Sequence, residues 1–210
     1  MLRRILLSLT IFVVAVVILG VSVLQSSSVS YALSLATPKP TAVAENKASE
    51  IDYTFVYPGK ILPDNPLWSL KALRDKILFY ITTNPLRKAE RALLYSDKRL
   101  LASRELFKSN KPDIALSTLS KGEKYLEIAT NQVVIAREKG IDTKDFLIKL
   151  ASASLKHRQV IEEMLPLVPE DGKPTVVRAL DYSKDSYKYS RDNLNSMGVA
   201  SPINPFDDIK

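Results

Sequence analysis

Residues 86–107 decide the fold, and they read LRKAERALLYSDKRLLASRELF. Large apolar residues recur every seven positions along this stretch, and a second row of small residues lies three positions further on. Spacings of three and four place both rows on one face of an α-helix, as in a coiled-coil seam. The stretch therefore predicts a long helix that packs through alternating large and small side chains. The large row is Leu86, Leu93, Leu100 and Phe107, and the small row is Ala89, Ser96 and Ser103.

The same two-row pattern continues in three later segments. Small side chains in one row let neighbouring backbones approach, so we expect helix axes near the close end of the usual ~8–10 Å spacing. The rows are Leu119, Leu126 and Val133 with Ala115, Gly122, Ala129 and Ala136 in the first of these segments; Leu147, Ser154 and Ile161 with Leu150, His157 and Met164 in the second; and Val176, Ser183, Ser190 and Met197 with Leu180, Tyr187 and Leu194 in the third.

Helix ends are marked by residues with a local mechanism. Asn65-Pro66 and Asn84-Pro85 each combine a capping side chain with a proline at the first helical position, and Gly140 suits the left-handed position that ends a helix. These marks predict five helices, and with the two-row pattern they predict an all-α fold. The expected architecture is an antiparallel up-down helical bundle of four long helices, with a shorter N-terminal helix at residues 67–81 lying across it. A helical-repeat solenoid is the alternative.

The first 32 residues predict delivery across a membrane. Arg3 and Arg4 precede an uncharged, mostly apolar stretch at residues 5–24, which as a helix rises ~30 Å, enough to cross the hydrocarbon core. Arginines on this side hold the amino end in the cytoplasm. We expect a single-pass anchor in the cell membrane with the bulk of the chain extracytoplasmic. The alternative is a signal peptide that is cleaved at Ala32 and leaves a secreted form.

The chain divides into four predicted regions. They are a signal-anchor or signal peptide at 1–32, an extended tether at 33–56, a helical bundle domain at 57–197 and a flexible tail at 198–210. Residues 33–50 have too few large apolar groups to pack. Residues 51–57 alternate in polarity, and we predict an extended arm laid on the domain surface. Pro202 and Pro205 prevent the tail from continuing the last helix.

Composition narrows the chemistry that the chain can carry. There is no cysteine, which excludes disulfides, thiolate metal sites and a cysteine nucleophile. His157 is the only histidine, and we predict a core or boundary residue hydrogen-bonded to a neighbour, with a buried pH switch as the functional alternative. A di-iron bundle needs two Glu-x-x-His motifs, and no catalytic motif or phosphate-binding glycine loop occurs. We therefore predict no enzyme activity, no cofactor and no metal.

Positive charge concentrates in residues 67–111, which contain eleven basic and four acidic residues. Such a basic half favours an anionic partner, for example a membrane surface or a wall polymer, and an ordinary solvated helix face is the alternative. Tyr182, Tyr187 and Tyr189 lie among cations, as in proteins that stack bases. Because Tyr187 belongs to an interior row, we predict packing there and no nucleic acid.

A candidate contact surface lies at the start of the first helix. Ile61, Leu62, Leu67, Trp68 and Leu70 are predicted to pack the preceding loop onto the bundle. The functional interpretation of Trp68 is a groove in which this loop meets a partner peptide. The predicted partner surface consists of Ile61, Leu62, Trp68, Lys71, Arg74, Arg87 and Arg91.

Two motifs carry a family resemblance. Residues 57–76, YPGKILPDNPLWSLKALRDK, and residues 84–90, NPLRKAE, resemble an uncharacterised bacterial family of exported helical domains, domain of unknown function 5667. The resemblance runs from about Tyr57 to Leu194. It implies a helical extracytoplasmic domain behind a signal or anchor segment, and it offers no catalytic or ligand residue to transfer.

Three functional hypotheses follow. The first is a non-enzymatic extracytoplasmic domain, tethered to the membrane through residues 5–24, that binds an envelope protein or an anionic envelope surface. The second is an envelope chaperone or stress sensor whose bundle opens to expose the small-residue seam. The third is a wall-polymer hydrolase, which requires a cleft with convergent acids that the sequence does not indicate.

Overall fold

The structure, a computed structural model, describes residues 51–207. Within that range helices are the only regular secondary structure, which confirms that the fold is all-α. The helices are α1 (Trp68–Ile81), α2 (Pro85–Lys108), α3 (Pro112–Glu138), α4 (Lys144–Met164) and α5 (Lys173–Ser196), with short 3-10 turns at Leu165–Leu167 and Glu170–Gly172. None of the helices in this range is both long and apolar enough to cross a membrane. The segment predicted at residues 5–24 and the tether at 33–50 lie outside the described residues.

Local capping explains where the long helices begin and end. The Asn84 side chain accepts a hydrogen bond from the Arg87 backbone N–H at 3.0 Å, and Pro85 occupies the start of α2. Gly140 follows α3 in the left-handed region, with a φ of 71°. Asn65 is not the cap of α1, because its side chain accepts from the Leu67 N–H and the helix begins only at Trp68.

The seam between α2 and α3 is built as the two-row pattern predicts. Ser96 Oγ donates to the Gly122 carbonyl and Ser103 Oγ donates to the Ala115 carbonyl, both at 2.8 Å. As the residue number rises on α2 it falls on α3, so the two helices are antiparallel. A Cβ atom on Gly122 would lie only 3.1 Å from the Arg99 Cβ, so glycine permits this close approach. The remaining small residues of the two rows, Ala89, Ala129 and Ala136, are fully buried.

The four long helices pack in two pairs with unequal contacts. α2 packs mainly on α3 and α4 mainly on α5, and the two pairs meet chiefly through α3 with α5. The consecutive helices α3 and α4 share few contacts, so they do not lie side by side. The rows predicted on α4 and α5 are buried except at Met197, which is 40% exposed because α5 ends at Ser196.

α1 lies on the outside of the α2–α3 pair. Trp68, in its first turn, lines a cleft together with Ile114, and Phe79, near its end, meets the Tyr125 ring with 6.2 Å between centroids. The Phe79–Tyr125 contact holds the end of α1 to α3, and α1 also contacts α2. The expectation that this helix lies across the bundle stays a prediction.

The arm before α1 packs on the helices through two aromatic side chains. The Tyr53 hydroxyl donates to the Asp97 carboxylate at 2.7 Å, and the Phe55 ring meets the His157 ring edge-on with 5.4 Å between centroids. These contacts fit the arm predicted for residues 51–57. They also extend the folded part of the chain upstream of the boundary predicted at residue 57.

The tail after α5 is not loose, contrary to the prediction for residues 198–210, as far as the structure describes it. The Tyr187 hydroxyl donates to the Pro202 carbonyl at 2.8 Å, and the Arg158 guanidinium carbon lies 4.0 Å from the centroid of the Phe206 ring. Val199 packs against the core. The prolines exclude a helix here, but an aromatic ring beside a cation and buried apolar area still favour docking.

Candidate interaction surface

One lysine fastens the loop at residues 58–67 to α1. The Lys71 ammonium donates to the carbonyl oxygens of Pro58 at 2.7 Å and Ile61 at 3.2 Å, and it lies 4.7 Å from the centroid of the Trp68 ring. Burial lowers the pKa of Lys71, while the Asp75 carboxylate acts in the opposite direction. Lys71 therefore holds the loop in place. The predicted partner surface required its ammonium to project toward an external anion, and it does not.

A cleft of about 400 Å³ opens between this loop, α1 and the first turns of α3. Pro63 and Trp68 line one side, and Asp113, Ile114 and Lys121 line the other. Trp68 thus forms part of the wall of a groove, which is where the functional interpretation places a partner peptide. Ile61 and Leu62, from the same loop, are half-buried.

α1 has two apolar faces, and one of them is exposed. Leu78 and Phe79 belong to the inner face: Leu78 is buried, and Phe79 packs against the core. The outer face repeats at i, i+3 and i+7, the spacing of one side of a helix. Its members are Leu70, Leu73, Ile77, Tyr80 and Ile81, with exposed fractions of 60%, 53%, 42%, 70% and 61%.

This exposure corrects part of the sequence analysis. Leu67 and Leu70 were expected to pack the loop onto the bundle, yet both are exposed, at 58% and 60%. The loop is held instead by Lys71, and Trp68 supplies its aromatic contact.

Charged groups lie on the inner side of α1. Asp75 is buried, and its carboxylate accepts hydrogen bonds from Arg74 Nε at 3.2 Å and Nη2 at 2.8 Å. The Tyr95 hydroxyl donates to the Asp75 backbone carbonyl at 3.1 Å. On α2, the Arg99 guanidinium carbon lies 4.4 Å from the centroid of the Tyr125 ring of α3. α1 thus differs from an ordinary surface helix, because a carboxylate is buried beside its apolar inner face and aliphatic side chains also face outward.

Arg87 and Arg91 lie one turn apart at the start of α2. Arg87 is exposed, whereas Arg91 is half-buried beside the Tyr95 hydroxyl. Lys88, between them in sequence, lies 4.8 Å from the ring of Phe79 near the end of α1. The structure therefore divides the predicted partner surface into two groups at opposite ends of α1. One group is Ile61, Leu62, Trp68, Lys71 and Arg74, and the other is Arg87 and Arg91.

A second set of charges is enclosed by the bundle. His157 is 0% exposed, and its ring nitrogens meet two carboxylates: Nδ1 lies 2.7 Å from Glu123 Oε1 and Nε2 lies 3.0 Å from Asp97 Oδ1. Tyr53 donates to the second oxygen of Asp97. Glu123 Oε2 is buried and has no hydrogen-bond partner among the described residues. The cluster therefore joins the arm, α2, α3 and α4.

The protonation state of this cluster follows from its two acids. Burial by itself lowers the pKa of His157, but the charges of Glu123 and Asp97 and the hydrogen bonds to them outweigh burial and raise the pKa to about 9. At neutral pH the ring is therefore an imidazolium that donates from both nitrogens. One cation between two carboxylates leaves the cluster with one net negative charge.

The sequence predicted His157 but not its partners. The expectation of a core histidine hydrogen-bonded to a neighbour is confirmed. Asp97 and Glu123 were missed because the interior rows were assigned from apolar and small residues. A signal was present, since each acid directly follows a small residue of the seam, Ser96 or Gly122. These two small residues face each other, so the acids lie at the same height.

A further group of cations lies between α4, α5 and the tail. Arg158, Lys184, Lys188 and Arg191 line a cavity of about 190 Å³ beside Tyr187. Tyr187 is buried, as its interior row predicts. Arg158 and Arg191 are each paired with a neighbouring carboxylate, at 2.8 Å in both cases. Much of the positive charge in this group is therefore neutralised locally.

Together these features describe an all-α domain with a buried ionic cluster and an outer helix that exposes an apolar face. The chain belongs to the family described as domain of unknown function (DUF5667), which it matches over residues 60–171. The match covers the loop and α1 to α4, ends before α5, and confirms the resemblance seen in the two motifs. No curated protein and no solved structure matches the chain.

Proposed function

We propose that the chain is a non-enzymatic, membrane-tethered extracytoplasmic domain that binds an anionic surface of the cell envelope. In this proposal residues 5–24 anchor the protein, residues 33–50 form a tether, and the four long helices form an up-down bundle. Cleavage at Ala32 gives the secreted alternative. An envelope protein with an anionic face is a partner of the same chemistry.

The observation that supports binding is the separation of charge in residues 67–111. Two of the four acidic residues in this stretch, Asp75 and Asp97, are buried, whereas Arg99 is the one buried member among its eleven basic residues. The Asp75 carboxylate pairs with the partly exposed Arg74 and the Asp97 carboxylate with His157. Glu90 and Glu105 are therefore the acidic residues of this stretch that reach the surface. This side of the domain therefore carries an excess of accessible positive charge, which attracts anionic surfaces.

Binding can be measured on the full chain in nanodiscs of phosphatidylcholine. The probes are phosphatidylglycerol vesicles and poly(glycerol phosphate), which separate a lipid surface from a wall polymer. The double variant Arg87→Glu/Arg91→Glu is expected to weaken binding to the preferred probe by roughly tenfold or more at low salt, and less at high salt because ions screen exposed charges.

The matched control is Lys184→Glu/Lys188→Glu on α5. It makes the same change in net charge at the same i, i+4 spacing, but in the group of cations near the tail. Equal losses from both variants, or none from either, would contradict the assignment of this surface.

The location of the domain has its own test. Because the chain has no cysteine, a single Val177→Cys substitution on α5, at a side chain that is 52% exposed, introduces one reactive thiol. A membrane-impermeant maleimide should label this thiol in intact cells. Labelling only after lysis would contradict the extracytoplasmic assignment. The mass of the mature amino terminus would distinguish the anchored form from the secreted form.

A wall-polymer hydrolase is disfavoured by where the convergent acids lie. Asp97 and Glu123 are 2% and 0% exposed, and both are occupied by the His157 ring. The acid pair of a glycoside hydrolase flanks the bond to be cleaved, so it needs an open cleft. This pair has no face toward a polymer.

A stress-sensing bundle is the second candidate, and the buried cluster favours it. A carboxylate oxygen without a partner inside a protein costs stability, so the contacts around Glu123 are candidates for early opening. Hydrogen exchange under mild heat or acid should then show α2–α3 amides near the cluster opening before those of α4–α5. Opening of all four helices together would contradict this role.

A further inference from the structure

We propose that α1 is an interfacial helix whose outer face lies in the headgroup region of an anionic lipid membrane. The inserting side chains are Leu70, Leu73, Ile77, Tyr80 and Ile81. This inference rests on the proposed function, because it names the anionic surface as lipid and assigns the element that meets it.

The outer face of α1 has the form of a membrane-binding helix. Its aliphatic side chains are about half exposed, although a helix on a soluble bundle ordinarily turns such side chains inward. Contiguous apolar surface of this kind marks an interaction site. It is a convex ridge on the outside of the bundle, which suits insertion into a deformable layer better than a fit into a rigid pocket.

Cations border this ridge on both sides. At 100° per residue, Lys76 and Arg74 fall on opposite edges of the face centred on Ile77. Lys76 is exposed, and Arg74 is partly exposed while it pairs with Asp75. Arg87, also exposed, follows the end of α1. Helices that lie in a membrane interface combine an apolar face with lysine and arginine at its borders, and they prefer anionic lipid.

The same charges argue against a second copy of the chain as the partner that covers this ridge. A two-fold dimer through this ridge brings identical surfaces together, so the bordering cations of one copy would approach those of the other. The tether also makes a poor cover, because residues 33–50 contain few large apolar groups. A plane of anionic headgroups satisfies both the apolar ridge and its cationic borders.

The reach of the chain makes this contact possible. Residues 25–50 connect the predicted membrane segment to the arm. A random coil of that length spans roughly 25–30 Å on average. A domain held at that distance from the bilayer meets it repeatedly. Even a shallow apolar insertion then becomes an intramolecular event with a high effective concentration.

The test is a depth measurement on the full chain. A single cysteine replaces Ile77, carries a nitroxide spin label, and is compared with a label at Val177, an exposed aliphatic position of α5. Both proteins are reconstituted into liposomes of phosphatidylcholine, with and without phosphatidylglycerol. With phosphatidylglycerol present, collisions of the Ile77 label with oxygen should rise severalfold relative to collisions with a water-soluble nickel chelate, while the Val177 label should stay in water.

Three outcomes would overturn the inference. An Ile77 label that stays accessible to the nickel chelate in both liposomes excludes insertion. Dipolar broadening between labels identifies a second copy as the occupant. Shielding of the label from both oxygen and the nickel chelate, already in phosphatidylcholine liposomes, identifies a segment of the chain itself. An Ile77 label in water together with preserved binding of poly(glycerol phosphate) would retain the proposed function and reject the lipid as its target.

Discussion

In the core formed by α2 to α5, rows of large and small side chains face one another, and the charges around His157 are enclosed between them. In α1 the arrangement differs: Asp75 is buried beside Leu78 on the inner face, and Leu73 and Ile77 face outward. Both regions carry helical apolar periodicity. The comparison shows that helical periodicity predicts an apolar face, but it does not predict whether that face packs inside the protein or stays exposed.

The two regions also differ in what holds them together. In the core, α2 packs closely on α3 and α4 on α5, whereas α1 touches the α2–α3 pair chiefly through aromatic side chains, Lys88 and a few polar bonds. Substitutions should therefore have large effects in the core and unequal effects on the two sides of α1.

Removal of His157 should produce the largest effect. The substitution His157→Ala leaves Asp97 and Glu123 buried without their cation, and breaking a buried pair in this way costs about 3–5 kcal/mol. Urea unfolding followed by circular dichroism measures the loss. The triple variant with Asp97→Asn and Glu123→Gln should recover part of it, because it removes the uncompensated charges, and a triple variant no more stable than the single one would show that packing alone matters.

The pH dependence of stability is the next test of the enclosed charges. The folded pKa of His157 is raised from 6.5 to about 9, so its contribution is complete below pH 6.5 and is lost as the pH rises through 9. The free energy of unfolding should fall by about 3 kcal/mol across that interval, at roughly 1.4 kcal/mol per pH unit. In the His157→Ala variant this fall should be absent. A wild-type curve that is flat over the same range would show that the acids do not hold the proton.

Neighbouring residues of α1 should respond very differently. Leu78 is 5% exposed, so Leu78→Ala removes packed volume and should lower the free energy of unfolding by about 2–3 kcal/mol. Ile77 is 42% exposed, so Ile77→Ser should change it by no more than about 0.5 kcal/mol without lipid. Thermal or urea unfolding of the two variants side by side measures the contrast. Equal losses would mean that the outer face is covered within the protein.

Among the buried positions, the smallest expected loss of stability concerns the seam. A valine at Gly122 must displace atoms near Arg99, and such overpacking costs about 1–3 kcal/mol. Loss of a flexible glycine from a helix interior returns about 0.5–1 kcal/mol, so the expected net loss for Gly122→Val is about 1–2 kcal/mol. Gly122→Ala should cost less in the same unfolding experiment. Neutral behaviour of the valine variant would indicate a looser seam than the serine hydrogen bonds imply.

Much of the core could be predicted from the sequence, because its signals are local and repeat. Except for Leu86, which is half-buried, the residues of the two rows on α2 and α3 are buried. His157 is buried in the row predicted on α4. The tail shows the limit of such signals: prolines exclude a helix, but they do not report that Phe206 docks on Arg158. The candidate surface was predicted only in part, since hydrogen bonds of Lys71 to distant carbonyls leave no trace in sequence spacing.

The sequence by itself determined the helices, their ends and the interior rows, because capping and a 3.6-residue period act between residues that are close along the chain. Only the tertiary structure decided that Asp97 and Glu123 converge on His157 and that α1 turns its aliphatic side outward. Both outcomes depend on which helices become neighbours. That choice is made by side-chain volume and charge summed over the whole core, and no single segment contains it.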